Sequence, residues 1–163
     1  MKCIKKLVAL TLAAVLALAM LTACGGGGVQ VDLQKSREIL GVVNERRTAG
    51  GKSELVLSEE ASLLLGDLAR VSATSGGGNL EETTYKNTRA KVFDLAIDGK
   101  KVSRVDAYIF YHTPVSDVKN VVERNPQWFI HDEESDANYV AIAAYEGMNE
   151  SSSACVVFVI TAN

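Results

Sequence analysis

The chain is poor in the residues that most often announce a chemistry. It has three cysteines, two histidines, two prolines and one tryptophan among 163 residues. The cysteines stand at positions 3, 24 and 155, so no pair has metal-ligand spacing. No serine lies in a Gly-x-Ser-x-Gly elbow, which removes the most local signature of a serine hydrolase. The net charge is −3, and beyond the first six residues Lys and Arg form no stripe or cluster, which argues against nucleic acid as a partner. Aromatic residues are absent before Tyr85, and all ten lie between there and Phe158. No internal repeat is present.

What the chain does have begins at its start. Met1-Lys2-Cys3-Ile4-Lys5-Lys6 is basic, Leu7 to Met20 is apolar, and small residues follow, which is the layout of a secretory signal. The apolar run is shorter than the roughly 20 residues a spanning helix needs. Leu21-Thr22-Ala23-Cys24 resembles the lipobox of bacterial lipoproteins. That resemblance implies cleavage before Cys24, diacylglycerol on its sulfur and a fatty acyl group such as palmitate on its amine. Residues 1–23 are then a signal peptide and 24–32 a lipidated cysteine with a tether, because Gly25 to Gly28 hold no defined backbone. The implied location is the extracytoplasmic face of a bacterial cell membrane, with the membrane a partner through the lipid. The alternatives are an uncleaved anchor and an ordinary signal peptide with an incidental cysteine. Losing Lys2, Lys5 and Lys6 leaves the rest three charges more negative, so attachment rests on the lipid and not on charge. Cys155 is then without a disulfide partner, and its apolar run Ala154 to Ile160 marks it as a buried core cysteine.

About 140 residues remain, enough for one ordinary domain. Val31 to Thr48 carries Leu33, Leu40 and Val43, with Ile39 and Val42 beside them, on one helical stripe and is stopped by Ala49-Gly50-Gly51. After Leu55-Val56-Leu57, Ser58 is an N-cap with Glu59 and Glu60 in the first turn, and a second helix runs to about Ala73. Lys91 to Ile97 alternates as a strand, Asp98-Gly99 signals a tight hairpin, and the return strand runs from Val102 to Tyr111. Thr113-Pro114 reads as an N-cap followed by proline at the first helical position, opening a third helix that ends at Asn125-Pro126. Asn138 to Tyr145 and Ala154 to Thr161 are two further strands whose near-continuous apolar content predicts a sheet covered on both faces. The expected class is α+β, a three-layer α-β-α sandwich with a mainly antiparallel sheet, in a single domain over residues 33–163.

Two local patterns carry a second resemblance. Leu40-Gly41-Val42-Val43-Asn44-Glu45-Arg46-Arg47-Thr48-Ala49-Gly50 is followed by Leu55-Val56-Leu57 and an Ala-containing helix from Ser58 to Ala69. Further on, Asn125-Pro126-Gln127-Trp128-Phe129 precedes the loop Ile130 to Ala137 and the strand Tyr139 to Tyr145. This order resembles the CAP superfamily, the group of cysteine-rich secretory, antigen 5 and pathogenesis-related-1 proteins (SCP domains), over about residues 33–161. Members with a complete cavity place two histidines and two acidic residues in it, and some bind a divalent metal there. The first histidine follows the second helix, where this chain has Ser75-Gly76-Gly77-Gly78-Asn79-Leu80; the second belongs where Gln127-Trp128 stands; the Glu-Asn pair faces Asp106-Ala107-Tyr108-Ile109-Phe110. The resemblance therefore implies a CAP-like framework with a degenerate pocket, and no catalytic residue, metal ligand or cofactor is carried over.

The candidate ligand-binding residues are Trp128, Tyr108, Tyr111, His112 and His131. Trp128, next to Phe129, either plugs the place of the missing histidine or stands out as a recognition anchor. Strand tyrosines 108, 111, 139 and 145 line a cleft or sit half-buried in the sheet. His112 ends a strand, and His131 lies in the acidic run His131 to Asp136, read as a solvated loop ahead of a site for a hard cation. Asn44 and Arg47 share a helix face and are expected to tie the first helix to a loop. The reading is a lipid-anchored extracytoplasmic binding module of the cell envelope, without a catalytic centre, whose partner is an envelope protein, a peptidoglycan fragment or a lipid. The alternative is a hydrolase or metal-dependent enzyme with a relocated site around His112 and His131, and a third is a structural envelope domain unrelated to CAP.

Overall fold

The computed structural model describes residues 29–75 and 77–163, so the leader, the lipid site at Cys24 and the tether glycines 25–28 lie outside the described residues. The packed domain begins before residue 33. Val31 is buried in the core, and Asp32 caps helix α1 (Leu33–Ala49), its carboxylate accepting from the Gln34 and Lys35 amides at 2.9 and 3.3 Å. Arg46 and Arg47 in the last turn suit the negative end of the helix dipole, and the Gly50 amide closes it on the carbonyls of residues 46 and 47.

Strand β1 (Val56–Leu57) leads to Ser58, which caps as expected with its hydroxyl accepting from the Ala61 amide. The single helix expected to Ala73 is two, α2 (Glu59–Leu64) and α3 (Gly66–Ser75). The break falls where the N-terminal segment crosses: a Cβ on Gly66 would sit 2.6 Å from the Val29 carbonyl oxygen, so only glycine admits that close approach.

Helix α4 (Asn79–Phe93) was not expected from the sequence pattern. Its buried residues are Glu81, Thr88 and Val92, a face too polar to register as an apolar stripe. The strand expected over Lys91–Ile97 is corrected by it. Residues 91–93 complete the helix, the Asp94 amide closes its last turn, and only Ala96–Ile97 pair as β2, although Phe93 and Leu95 still pack on the core. The hairpin is as expected: Asp98 and Gly99 both have positive φ, 51° and 75°, the two-residue turn that joins β2 to β3 (Lys100–Tyr111). The Thr113 cap is also corrected. Its hydroxyl turns back to the Tyr111 carbonyl, Pro114 is extended, and a 3-10 turn over Val115–Asp117 precedes α5 (Val118–Arg124).

Strands β4 (Tyr139–Glu146) and β5 (Ser153–Ala162) complete, among the described residues, one five-stranded sheet in the order β1-β4-β5-β3-β2. Every pairing is antiparallel except β1 with β4. All ten residues of central β5 are buried, the burial its apolar run predicted. On one face Val156, Phe158 and Ile160 pack with Leu65 and Leu68 of the α2–α3 segment and Val92 of α4; on the other Cys155, Val157 and Val159 pack with Ile39 and Val43 of α1 and Val118 and Val122 of α5. The domain is thus α+β, with helices on both sides of a mainly antiparallel sheet. Cys155 is a core residue, its thiol 3.4 Å from the Thr113 carbonyl and pushed by burial up to about 12. Among the described residues no helix is long and apolar enough to cross a membrane.

Candidate functional site

Strand β3 carries the candidate site, because its alternating side chains face both layers. Tyr108 and Phe110 point to the α1–α5 face, whereas Ala107 and Ile109 join the α2–α4 core. On the first face the loop after α5 comes down over β3. Phe129, at φ 64° and fully buried, puts its ring 4.3 Å from that of Tyr108. Trp128 is half-buried behind it, 5.9 Å from Tyr108 and edge-on to Phe110 at 5.3 Å.

Arg47 holds this loop from below. It is fully buried, and its guanidinium donates to the carbonyls of Ser53 at 2.8 Å, Phe129 at 3.0 Å and Glu134 at 3.3 Å. One turn back, Asn44 exchanges two hydrogen bonds with the Leu55 backbone, at 2.9 and 3.1 Å. Both residues thus tie the first helix to neighbouring loops, as their shared face predicts.

Glu134 completes the network. It is 3 % exposed, its Oε1 accepts from the Tyr108 hydroxyl, and its Oε2 lies 4.0 Å from Arg47 with no hydrogen-bond partner among the described residues. Burial pushes its carboxyl above the ordinary value; the Tyr108 hydrogen bond opposes this, Asp106 adds to it, and His131 and Arg47 hold it back. Burial and Glu134 together raise the Tyr108 hydroxyl, and desolvation lowers Arg47. A carboxyl whose pKa is higher folded than unfolded keeps its proton better in the folded state. Its contribution to stability is therefore greatest below the unfolded value of 4.5 and is lost as pH rises from there through the raised value. Urea midpoints measured across that window should show this decline in the wild type and a flatter profile in Glu134→Gln; superimposable profiles would rule the effect out.

In front of the network lies a cleft of about 510 Å³ lined by residues 104 and 106–108 of β3 and by His131 and residues 132–134. Its walls carry both signs: Arg104 pairs with Asp106 at 2.8 Å and Glu133 at 3.6 Å. The acidic run is not a solvated loop throughout. Asp132 reaches Lys52 at 3.1 Å and Glu133 reaches Arg104, while Glu134 turns inward. Among the described residues no group of three or more His, Cys, Asp or Glu is placed to hold a metal ion.

Of the candidate residues, Tyr108 and His131 line this cleft, and Trp128 packs against Tyr108 behind it. Tyr111 projects from the strand's other side, where its hydroxyl donates 2.5 Å to Glu81, and burial with that bond pushes it up to about 12. His112 is exposed beyond the end of β3, at φ 52°, with Nδ1 2.6 Å from the Ser151 carbonyl oxygen. Among the described residues the two histidines share no hydrogen-bond partner, and only His131 lines the cleft beside Tyr108. Tyr139 is a buried sheet residue bonded to Asp98 at 2.8 Å. Sequence pattern pointed to neither Glu134 nor Glu81. One sits in an acidic run that does not mark which member turns inward, the other on a helix without an apolar stripe.

No protein-family model matches this chain, and no curated protein matches it. Among solved structures it is similar to an outer surface protein from Borrelia burgdorferi, at a TM-score of 0.61 and 12 % identity, over 83 % of this chain and 99 % of that one. The likeness is one of fold. At that identity it carries no residue of a site from one chain to the other.

Proposed function

We propose that this chain is a binding module of the bacterial envelope, held to the outer side of a membrane by lipid on Cys24 and built on a degenerate CAP-like domain. The observation that carries the reading is the filled interior beside Tyr108. The resemblance aligns Gln127-Trp128 with the second cavity histidine; there Trp128 and its neighbour Phe129 pack as hydrophobic bulk, and Arg47 fastens the pair by the Phe129 carbonyl. What remains open is a shallow cleft with charges of both signs and a tyrosine at its base, suited to holding a polar ligand by hydrogen bonds and ion pairs. An envelope protein, a peptidoglycan fragment or a lipid headgroup has such chemistry. The surface location draws support from the lipobox and from the name of the structural neighbour, an outer surface protein.

Two measurements test the reading. Metabolic labelling with an alkyne fatty acid should mark the wild-type chain and leave Cys24→Ala unlabelled; label on the variant overturns the anchor. Purified chain should show no hydrolysis of peptidoglycan, ester or peptide substrates that depends on its own residues. Turnover abolished by His131→Ala or Glu134→Gln, with the fold intact, would replace the binding reading by the enzyme one.

A further inference from the structure

The opposite side of β3 holds a second site, which shares only Ala107 with the lining of the Tyr108 cleft. Backbone groups in an antiparallel strand alternate between its two neighbours. In β4 the Ile142 amide donates to the Ser62 hydroxyl at 3.0 Å and its carbonyl accepts from Ser36 at 2.8 Å, so Ile142 does not bond its β5 partner Val157. Val157 therefore turns to Tyr108 across the β5–β3 ladder, and Val105, Ala107, Ile109 and Tyr111 turn their backbone groups away from β5. Beyond them there is no strand among the described residues, since β2 reaches only Lys100 and Lys101. The Val105 carbonyl accepts from Arg89 at 3.5 Å and the Tyr111 carbonyl from Thr113 at 2.9 Å. The amides of Ala107, Ile109 and Tyr111 and the carbonyls of Ala107 and Ile109 have no partner among the described residues.

Facing this edge is a stripe of α4 at four-residue spacing: Glu81, Tyr85 and Arg89. Between α4 and β3 runs an open groove of about 450 Å³, floored by Ala107, Ile109 and Tyr111 and walled by Glu81, Glu82 and Tyr85. Glu81 is 5 % exposed. Its Oε1 accepts from Ser72 at 3.0 Å and from Tyr111 at 2.5 Å, whereas its buried Oε2 has no partner among the described residues. An orphaned carboxylate oxygen in a groove wall is costly unless a donor reaches it.

We propose that this groove takes an extended segment of another protein, which adds to the open edge of β3 as a further strand and sends a lysine or arginine side chain to Glu81. The strand supplies affinity through main-chain bonds, and the pocket at the Tyr111 end supplies selectivity for the cation. The opposite end, where Arg89 stands, disfavours a second base.

The test uses the full chain in detergent, immobilised and exposed to three nonapeptide pools randomised except for a central lysine, alanine or glutamate. The lysine pool should be retained over the other two. The best sequence selected from it, followed by fluorescence polarisation, should bind about tenfold more weakly to Glu81→Gln, which keeps the hydroxyl bonds and removes the charge. Ala107→Pro, which deletes an outward amide and leaves the β5 ladder its bonds, should abolish binding. Because that variant can misfold, the same loss is required with wild-type protein when alternate amides of the peptide are N-methylated. Equal retention of the three pools, no retention of any, or affinity unchanged by Glu81→Gln or by N-methylation overturns the proposal. So does a concentration-dependent dimer abolished by Ala107→Pro, which would give the edge to a second copy of this chain. Any of these failures leaves the Tyr108 cleft, and the reading built on it, untouched.

Discussion

Arg47→Met should lower the unfolding free energy by about 3–5 kcal/mol, read from the urea midpoint at neutral pH, the largest effect expected of any single polar substitution in this domain. Methionine fills much of the same volume, so the loss is not one of packing. It comes from the Phe129 and Glu134 carbonyls left without their donor in the interior, from the part-buried Ser53 carbonyl, and from the Glu134 carboxylate left without its counter-charge at 4.0 Å. Arg47→Lys should recover little, because a single ammonium cannot span three acceptors that a planar fork reaches together. The double variant Arg47→Met with Glu134→Leu should be more stable than Arg47→Met alone, since it removes the uncompensated buried charge. A loss under about 1 kcal/mol in the single variant, or no recovery in the double, would show that the pair is not the hub its burial makes it.

Removing the Phe129 ring should cost a similar amount, with an unusual order among the replacements. Phenylalanine to alanine in a full core costs about 3–5 kcal/mol, and this ring is fully buried against Tyr108 and Phe110. The backbone, however, is at φ 64°, where a side chain is strained and glycine is not. Phe129→Gly should therefore be at least as stable as Phe129→Ala, reversing the usual advantage of alanine by about 1 kcal/mol. Denaturation curves of the two variants side by side decide it. Alanine clearly above glycine would mean that the left-handed backbone is not held once the ring is gone.

These two residues also show where sequence reasoning reached and where it stopped. The spacing of Asn44 and Arg47 on a helix predicts a tie between helix and loop, and the structure has one. Nothing in the sequence names the Phe129 and Glu134 carbonyls as the acceptors, since they lie 82 and 87 residues further on. Trp128-Phe129 is legible as a hydrophobic pair after a helix stop. Which of the two is the buried plug depends on the positive φ of Phe129, a consequence of the loop's closure over β3 and not of local preference.

The amino-acid order by itself determined the elements whose stabilisation is local. Ser58 and Asp98-Gly99 act through bonds or dihedrals within a few residues, so the cap and the turn stand where the chain spells them. The apolar runs of β4 and β5 likewise determined a two-sided sheet, because burial on both faces leaves no polar alternation. Only the tertiary structure decided what depends on distant partners. Helix α4 is stabilised by packing across β3 and by a buried Glu81–Ser72 bond, not by an apolar stripe, so its pattern was silent and the alternation of Phe93, Leu95 and Ile97 misled. The site follows the same rule. The inward turn of Glu134, the separation of His112 from His131 and the open edge of β3 all arise from which strand lies beside which. That order is a property of the closed core, written in no single stretch of the chain.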